Sequence, residues 1–346
     1  MQNEKRYFAA SNSGTGFVSY FDEIFGDLDK VYIIKGGPGT GKSYFMRKIA
    51  DEAENMGLSV EYFYCSSDPL SLDGIIIQEK SVAIIDGTSP HTYDPKLPGI
   101  SEKIINLGEN WDEKELLKNA NEIRDIVSKK ECLYNNIYNY LAAAYRVDNE
   151  IRQINRKAVI YNKMSSAVNR LTKTWKNGAA YKAVKRPIEA ITSAGHIVYD
   201  TYLNQAESNF IIRDRYCISH IFMDMIMKKA EQKNLFVYYS PSYLDSSIIS
   251  GIYIPALSTS FIVADMEGGD ARKINMDRFV DMDIIKSNKQ KNRFARRCLS
   301  SLFEGVELGF SEISELHTKL EAYYVKAMDF SKNSSLATKI KKEIFG

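Results

Sequence analysis

The chain has 346 residues, 44% of them hydrophobic and 26% charged, with 46 Lys and Arg against 44 Asp and Glu. That composition suits a folded protein of about two domains, and no apolar run approaches the ~18 residues of a membrane span. Four scattered cysteines form no CxxC pair and four histidines form no HExxH arrangement, which argues against a disulfide framework and a structural zinc site. The opening MQNEKRYFAA lacks the apolar core of a signal peptide, so the expectation is a cytoplasmic protein with no membrane partner.

The first strong element is Val31 to Lys35, a short β-branched run that reads as a buried strand. It leads into Gly36, Gly37, Pro38, Gly39, Thr40, Gly41, Lys42 and Ser43, which match G-x-x-x-x-G-K-[ST] in full. Phe45, Ile49, Ala53 and Met56 then recur at helical spacing, and Gly57 stands where a left-handed cap belongs. Glycines let successive backbone N–H groups curl around an anion, and the free amides of the helix start add to the attraction. Lys42 suits the β- and γ-phosphates, and the Ser43 hydroxyl suits Mg²⁺. A nucleoside triphosphate, ATP or GTP, with magnesium is the expected ligand.

A second strand follows at 58–64, and a third, SVAIID, ends at Asp86. An aspartate at such a strand end is a candidate Mg²⁺ ligand beside Ser43; the alternative is a plain Asp-Gly turn. Gly87 follows Asp86, so the adjacent glutamate base of many motor ATPases is missing. Asp68, just past the second strand, and His91, five residues after Asp86, are the other candidates for chemistry, each with a loop-capping alternative. Cys65 reads as a packed strand-end residue.

Residues 109–177 contain neither glycine nor proline, and apolar positions from 151 to 175 recur every three or four residues. A helical hairpin is the expectation, because one rod of that length would span about 100 Å at 1.5 Å per residue. Ten Lys or Arg and no acidic residue lie between Ile151 and Pro187. That block is either a solvated helix face or a footprint for nucleic acid or another polyanion.

The chain then repeats itself. With a shift of 177, Phe45, Met46, Ile49, Ala53, Glu54, Leu58, Val60 and Tyr62 face Phe222, Met223, Ile226, Ala230, Glu231, Leu235, Val237 and Tyr239. A two-residue slip sets Asp86 against Asp265, and further on Leu141 and Tyr145 face Leu320 and Tyr324. Where the first copy has its glycine loop, the second reads IIRDRYCISH, without glycine or lysine, and so predicts no nucleotide site. Arg213 and Arg215 stand there as solvated residues or as an internal arginine finger for the first site. Helical patterns return at 272–304 and 310–345.

The segments GGPGTGKS, YCSSDPLSLDGIII and IIDGTSPHTYDPKLPG, with KLEAYYVKAMDF near the C-terminal end, resemble a bacterial family of tandem P-loop ATPases or nucleotide kinases without an assigned physiological role. Members of that family often carry two intact P-loops, and here the second is degenerate. The expected fold is α/β: tandem P-loop NTPase-like domains with parallel-sheet cores, each with a helical appendage. The expected divisions are a nucleotide-binding domain over 1–108, a helical hairpin with a basic second arm over 109–186, a degenerate copy over 187–270 and a helical region over 271–346. The expected function is a Mg-dependent ATPase with one site. The alternatives are a nucleotide or small-molecule kinase and a nucleotide-switched binder of polyanions.

Overall fold

The computed structural model describes residues 4–89, 92–265 and 270–346. Its first half runs β1 (Lys5–Phe8), β2 (Ala10–Ser13), β3 (Gly16–Ser19), α1 (Phe21–Phe25), β4 (Lys30–Lys35), α2 (Lys42–Asn55), β5 (Val60–Tyr64), β6 (Leu72–Ile77), β7 (Val82–Asp86), β8 (Glu102–Asn106), α3 (Glu113–Lys118), α4 (Ala120–Arg156) and α5 (Tyr161–Leu171). The second half repeats this succession. Its elements are β9 (Lys182–Lys185), β10 (Glu189–Thr192), β11 (Gly195–Val198), α6 (Thr201–Gln205), β12 (Ser208–Arg213), α7 (Ser219–Gln232), β13 (Phe236–Pro241), β14 (Ile249–Ile254), β15 (Thr259–Val263), β16 (Arg272–Asn275), α8 (Met282–Ser287), α9 (Lys289–Ala327) and α10 (Phe330–Phe345).

The fold is α/β, with two six-stranded sheets of matching order, β1-β5-β6-β7-β4-β8 and β9-β13-β14-β15-β12-β16. Neither sheet is purely parallel, contrary to the sequence expectation. β6 runs antiparallel to both β5 and β7, and β14 does the same between β13 and β15. The physical reason is the short connection 65–71, which suits an antiparallel return, whereas a parallel neighbour needs a crossover of a dozen residues or more. The second sheet also begins earlier than the expected division at 187, because β9 pairs with β13 from Lys182.

β4 lies between β7 and β8, so Val31 to Ile34 are buried, and the one polar atom among their side chains, the Tyr32 hydroxyl, donates to Glu343. Behind it, α2 turns Phe45, Met46, Ile49, Ala50 and Ala53 onto the sheet and stops at Gly57, where φ is 76°.

The expected helical hairpin does not form. α4, 37 residues long, packs along α9 of the other half, joining Ile137, Leu141 and Ala144 to Val306, Phe310 and Ile313. Its apolar stripe finds a matching stripe of similar length there, which the 11-residue α5 could not supply. The short helices are exchanged: α5 packs on α7 of the second half, and α10 packs on α2 of the first. Isolated bridges seal both crossings, Trp111 to Met328 and Val159 to Val280. The two crossings are equivalent under the internal repeat, so Trp111 corresponds to Val280 and Val159 to Met328, and the helical regions do not follow the register that paired Leu141 with Leu320.

Candidate functional site

The 36–43 loop leaves the carboxyl end of β4 and curls back on itself. Gly39 and Gly41 have φ of 67° and 81°, conformations that L side chains rarely adopt. A Cβ on Gly36 would stand 2.9 Å from Thr40 Oγ1, and that hydroxyl donates to the Gly37 carbonyl at 2.8 Å. Lys42, the first residue of α2, reaches back across the loop and donates to the carbonyls of Gly36 at 3.1 Å and Gly37 at 2.7 Å. Its Nζ lies 3.5 Å from Asp86 Oδ2. Pro38 and Gly39 make the turn at the tip of the loop. The expected loop residues Gly36 to Ser43 thus form one continuous curl ending at a helix N-terminus.

Asp86 comes from the end of β7, registered against Ile34 on β4. Its Oδ1 accepts from the Thr88 amide at 2.9 Å and the Thr88 hydroxyl at 2.5 Å, while Oδ2 faces Lys42. The turn reading and the ligand reading therefore each claim one oxygen. Ser43 Oγ accepts from the Leu72 amide at 3.0 Å, which ties α2 to the start of β6.

Asp68 is less available than expected, because its carboxylate accepts from the Leu70 amide at 3.1 Å and the Ser71 hydroxyl at 2.6 Å within its own turn. His91 lies outside the described residues. Burial holds the Cys65 thiol well above its ordinary pKa, consistent with a packed residue rather than a nucleophile.

Asp73 was missed by the sequence reading. Register jumps from Phe63–Gly74 to Tyr64–Leu72, so Asp73 is the extra residue of a β-bulge. Because β6 runs antiparallel, its start lies at the carboxyl end of β7, next to Asp86. The residue is 3% exposed, and burial, followed by the Asp86 charge, drives its pKa well above the usual carboxylate range. An acidic residue and a glycine inside the apolar run LDGIII were the available signal, since glycine inside a strand often marks a bulge.

Much of the loop's covering comes from the second half. Tyr324 packs on Gly37 beside Trp111 of the first half, the Glu321 carbonyl and Val325 pack on Gly39, and Phe330 packs on Gly41. The Glu321 carboxylate is held below its ordinary pKa by His317 first, and further by the Gly39 amide and the nearby Lys42. An internal anion thus already faces part of the cradle.

In the second half the corresponding features are gone. Strand pairing sets Val263, not Asp265, opposite Ile212 as Asp86 is opposite Ile34, and Ser250 takes the bulge position of Asp73. The expected equivalence of Asp265 with Asp86 is therefore corrected: Asp265 stands beyond the strand, almost wholly exposed, 3.9 Å from Arg213. Arg215 lies over the Tyr216 ring, and its carbonyl accepts from Arg296. The contacts of both arginines are local to the second half, so the structure gives no arginine finger to the first site. Asp214 accepts from the amides of Tyr216 at 3.1 Å and Ser219 at 2.6 Å, so the helix start that an anion would need is capped by the chain itself.

Of the ten cations of the basic block, three are tied down: Arg152 to Asp148 and Asp245, Lys185 to Glu23, and Arg186 to Glu61. Arg156, Lys157, Lys163, Arg170, Lys173, Lys176 and Lys182 are exposed.

No group of three or more His, Cys, Asp or Glu among the described residues is arranged to hold a metal ion. A magnesium ion bound with a nucleotide asks for less, since phosphate oxygens and water fill most of its octahedron. The Ser43 hydroxyl and Asp86 carboxylate are hard oxygen donors of the right kind. No protein-family model matches the chain, and no curated protein or solved structure matches it.

Proposed function

We propose that the first half binds a magnesium nucleoside triphosphate, ATP or GTP, and that the protein hydrolyses it at this single site. The observation that carries the reading is Lys42, whose ammonium group spans the Gly36 and Gly37 carbonyls and Asp86 within a curled glycine loop. On triphosphate binding, that ammonium would exchange loop carbonyls for phosphate oxygens, while the amides of the loop and of the α2 start take the remaining charge. Ser43 and Asp86 would hold Mg²⁺, which supplies charge neutralisation at the transferring phosphoryl group. Asp73, buried beside Asp86, is the carboxyl that would orient the attacking water.

The kinase reading has one observation in its favour. Gly87 cannot carry the base that some ATPases place after this aspartate, because a Cβ there would meet Ile33 Cγ2 at 2.5 Å. In that reading Asp73 would orient an acceptor hydroxyl instead.

Calorimetry with Mg-ATP tests the site: Lys42→Ala is expected to abolish binding, and retained affinity overturns the proposal. Phosphate release without any acceptor supports the ATPase. Consumption of ATP only when an acceptor is added supports the kinase.

A further inference from the structure

We propose that the cleft between the starts of α2 and α10 is a subsite for the base of the nucleotide whose phosphates the 36–43 loop would hold. The proposal rests on the phosphate reading and deepens it: the ligand is a nucleoside triphosphate rather than an inorganic polyphosphate.

The cleft measures about 100 Å³ and is lined by Gly41, Tyr44, Lys48, Phe330, Asn333 and Ala337. Gly41 belongs to both features, so the cleft opens where the phosphate loop ends. Tyr44 and Phe330 are 65% and 41% exposed, two large aromatic rings left facing solvent at one place. Phe330 is held firmly: it opens α10, whose N-cap Asp329 accepts from the Ser331 amide, and its ring lies 3.3 Å from where a Gly41 Cβ would stand. Tyr44 follows Ser43 directly on α2. A planar base lodged here would cover aromatic surface that the fold leaves wet.

Recognition would rest on stacking more than on reading the base edge. The Asn333 side chain is already committed, donating to the Thr40 carbonyl at 2.9 Å and accepting from Asn110 at 2.8 Å. Lys48 lies over the Tyr44 ring at 5.6 Å and is a flexible cation at the cleft mouth.

The second half provides an internal comparison. α7 begins at Ser219 as α2 begins at Lys42, which sets Ile221 at the position of Tyr44 and Met225 at that of Lys48. Tyr161 opens α5 as Phe330 opens α10. The helix that lost the glycine cradle has therefore also lost its aromatic residue at the cleft. The aromatic wall on α2 accompanies the intact loop.

Two probes, Mg-ATP and Mg-tripolyphosphate, titrated into the full chain by calorimetry test the subsite. The wild-type chain is expected to bind Mg-ATP more tightly. Phe330→Leu and Tyr44→Leu are each expected to weaken Mg-ATP by about tenfold, a typical loss for one stacked base. Tripolyphosphate should bind Tyr44→Leu as it binds the wild-type chain, which also certifies that this variant is folded, and in Phe330→Leu, whose ring also packs on Gly41, it should lose less than Mg-ATP does. Phe330→Trp should retain Mg-ATP affinity. Equal weakening of both probes, or unchanged Mg-ATP binding in the leucine variants, overturns the subsite alone. Failure of both probes to bind the wild-type chain overturns the phosphate reading and the subsite with it.

Discussion

The Asn333 side-chain amide donates to the Thr40 carbonyl at 2.9 Å across 293 positions of chain, while its oxygen accepts from Asn110 at 2.8 Å. One residue of α10 thus fixes both the loop that leaves β4 and the turn that precedes α3. Asn333→Ala would remove the donor and leave the Thr40 carbonyl in a space closed to water. The expected loss is about 1–3 kcal/mol of unfolding free energy, the cost of orphaning a buried polar group. Urea titration checks it, and an unchanged midpoint would show the bridge to be dispensable.

Glu321 should compete with the ligand. Its carboxylate lies near the Gly39 amide and Lys42, where phosphate charge would arrive. Glu321→Gln keeps the shape and removes the charge. Mg-ATP affinity is expected to rise about fivefold, corresponding to ~1 kcal/mol for unit charges near 4 Å in a water-like dielectric. An unchanged or lower affinity in calorimetry would mean that the carboxylate moves clear of the ligand at no cost.

The two halves are joined by a buried ion pair. Arg186 Nε lies 2.9 Å from Glu61 Oε2, with the guanidinium 5.5 Å from the Phe63 ring centre and 5.9 Å from that of Tyr238. Arg186→Ala would strand the Glu61 carboxylate in an apolar setting, with an expected loss of about 3–5 kcal/mol. Arg186→Met with Glu61→Leu should lose much less, since neither charge is then left alone. Chemical denaturation of both variants distinguishes a stranded charge from lost packing.

Acid should weaken the second half through His220. Burial, reinforced by Arg152, holds its imidazole below the ordinary value, and Asp214 and Asp224 offset this only in part. A base with a lowered folded pKa takes up its proton more readily when unfolded. Stability is therefore full above the unfolded value near 6.5 and falls as the pH drops below it. His220→Gln should flatten the thermal midpoint between pH 7 and pH 5 relative to the wild-type chain. Parallel curves for the two proteins would rule out this residue as a source of the dependence.

What the sequence revealed was local. The glycine loop, its flanking strand and helix, and the aspartate at the third strand end are all written within neighbouring residues, and the structure brings Lys42 and Asp86 together. The strand order repeats in the second half, in line with the internal similarity around Phe45 and Phe222. What escaped depended on distance or direction. Asp73 joins the site only because β6 runs backwards and bulges, which an apolar run does not announce. Asp265 drew attention as an acidic residue after a strand, yet register places Val263 at the position in question. The hairpin failed as an expectation because periodicity marks an apolar stripe without naming its partner, and α4 found α9.

The exchange of α5 and α10 also sets an order of events. Residues 321–333, which clad Gly39 and Gly41 and share the covering of Gly37 with Trp111, are synthesised long after the loop itself. During translation the first half would fold with its phosphate loop only partly covered, and the finished pocket would appear only when the second half closes over it. Acquisition of ligand binding would then report completion of the whole polypeptide, and a chain stalled before the end of α9 would carry the glycine loop yet lack most of the enclosure around it.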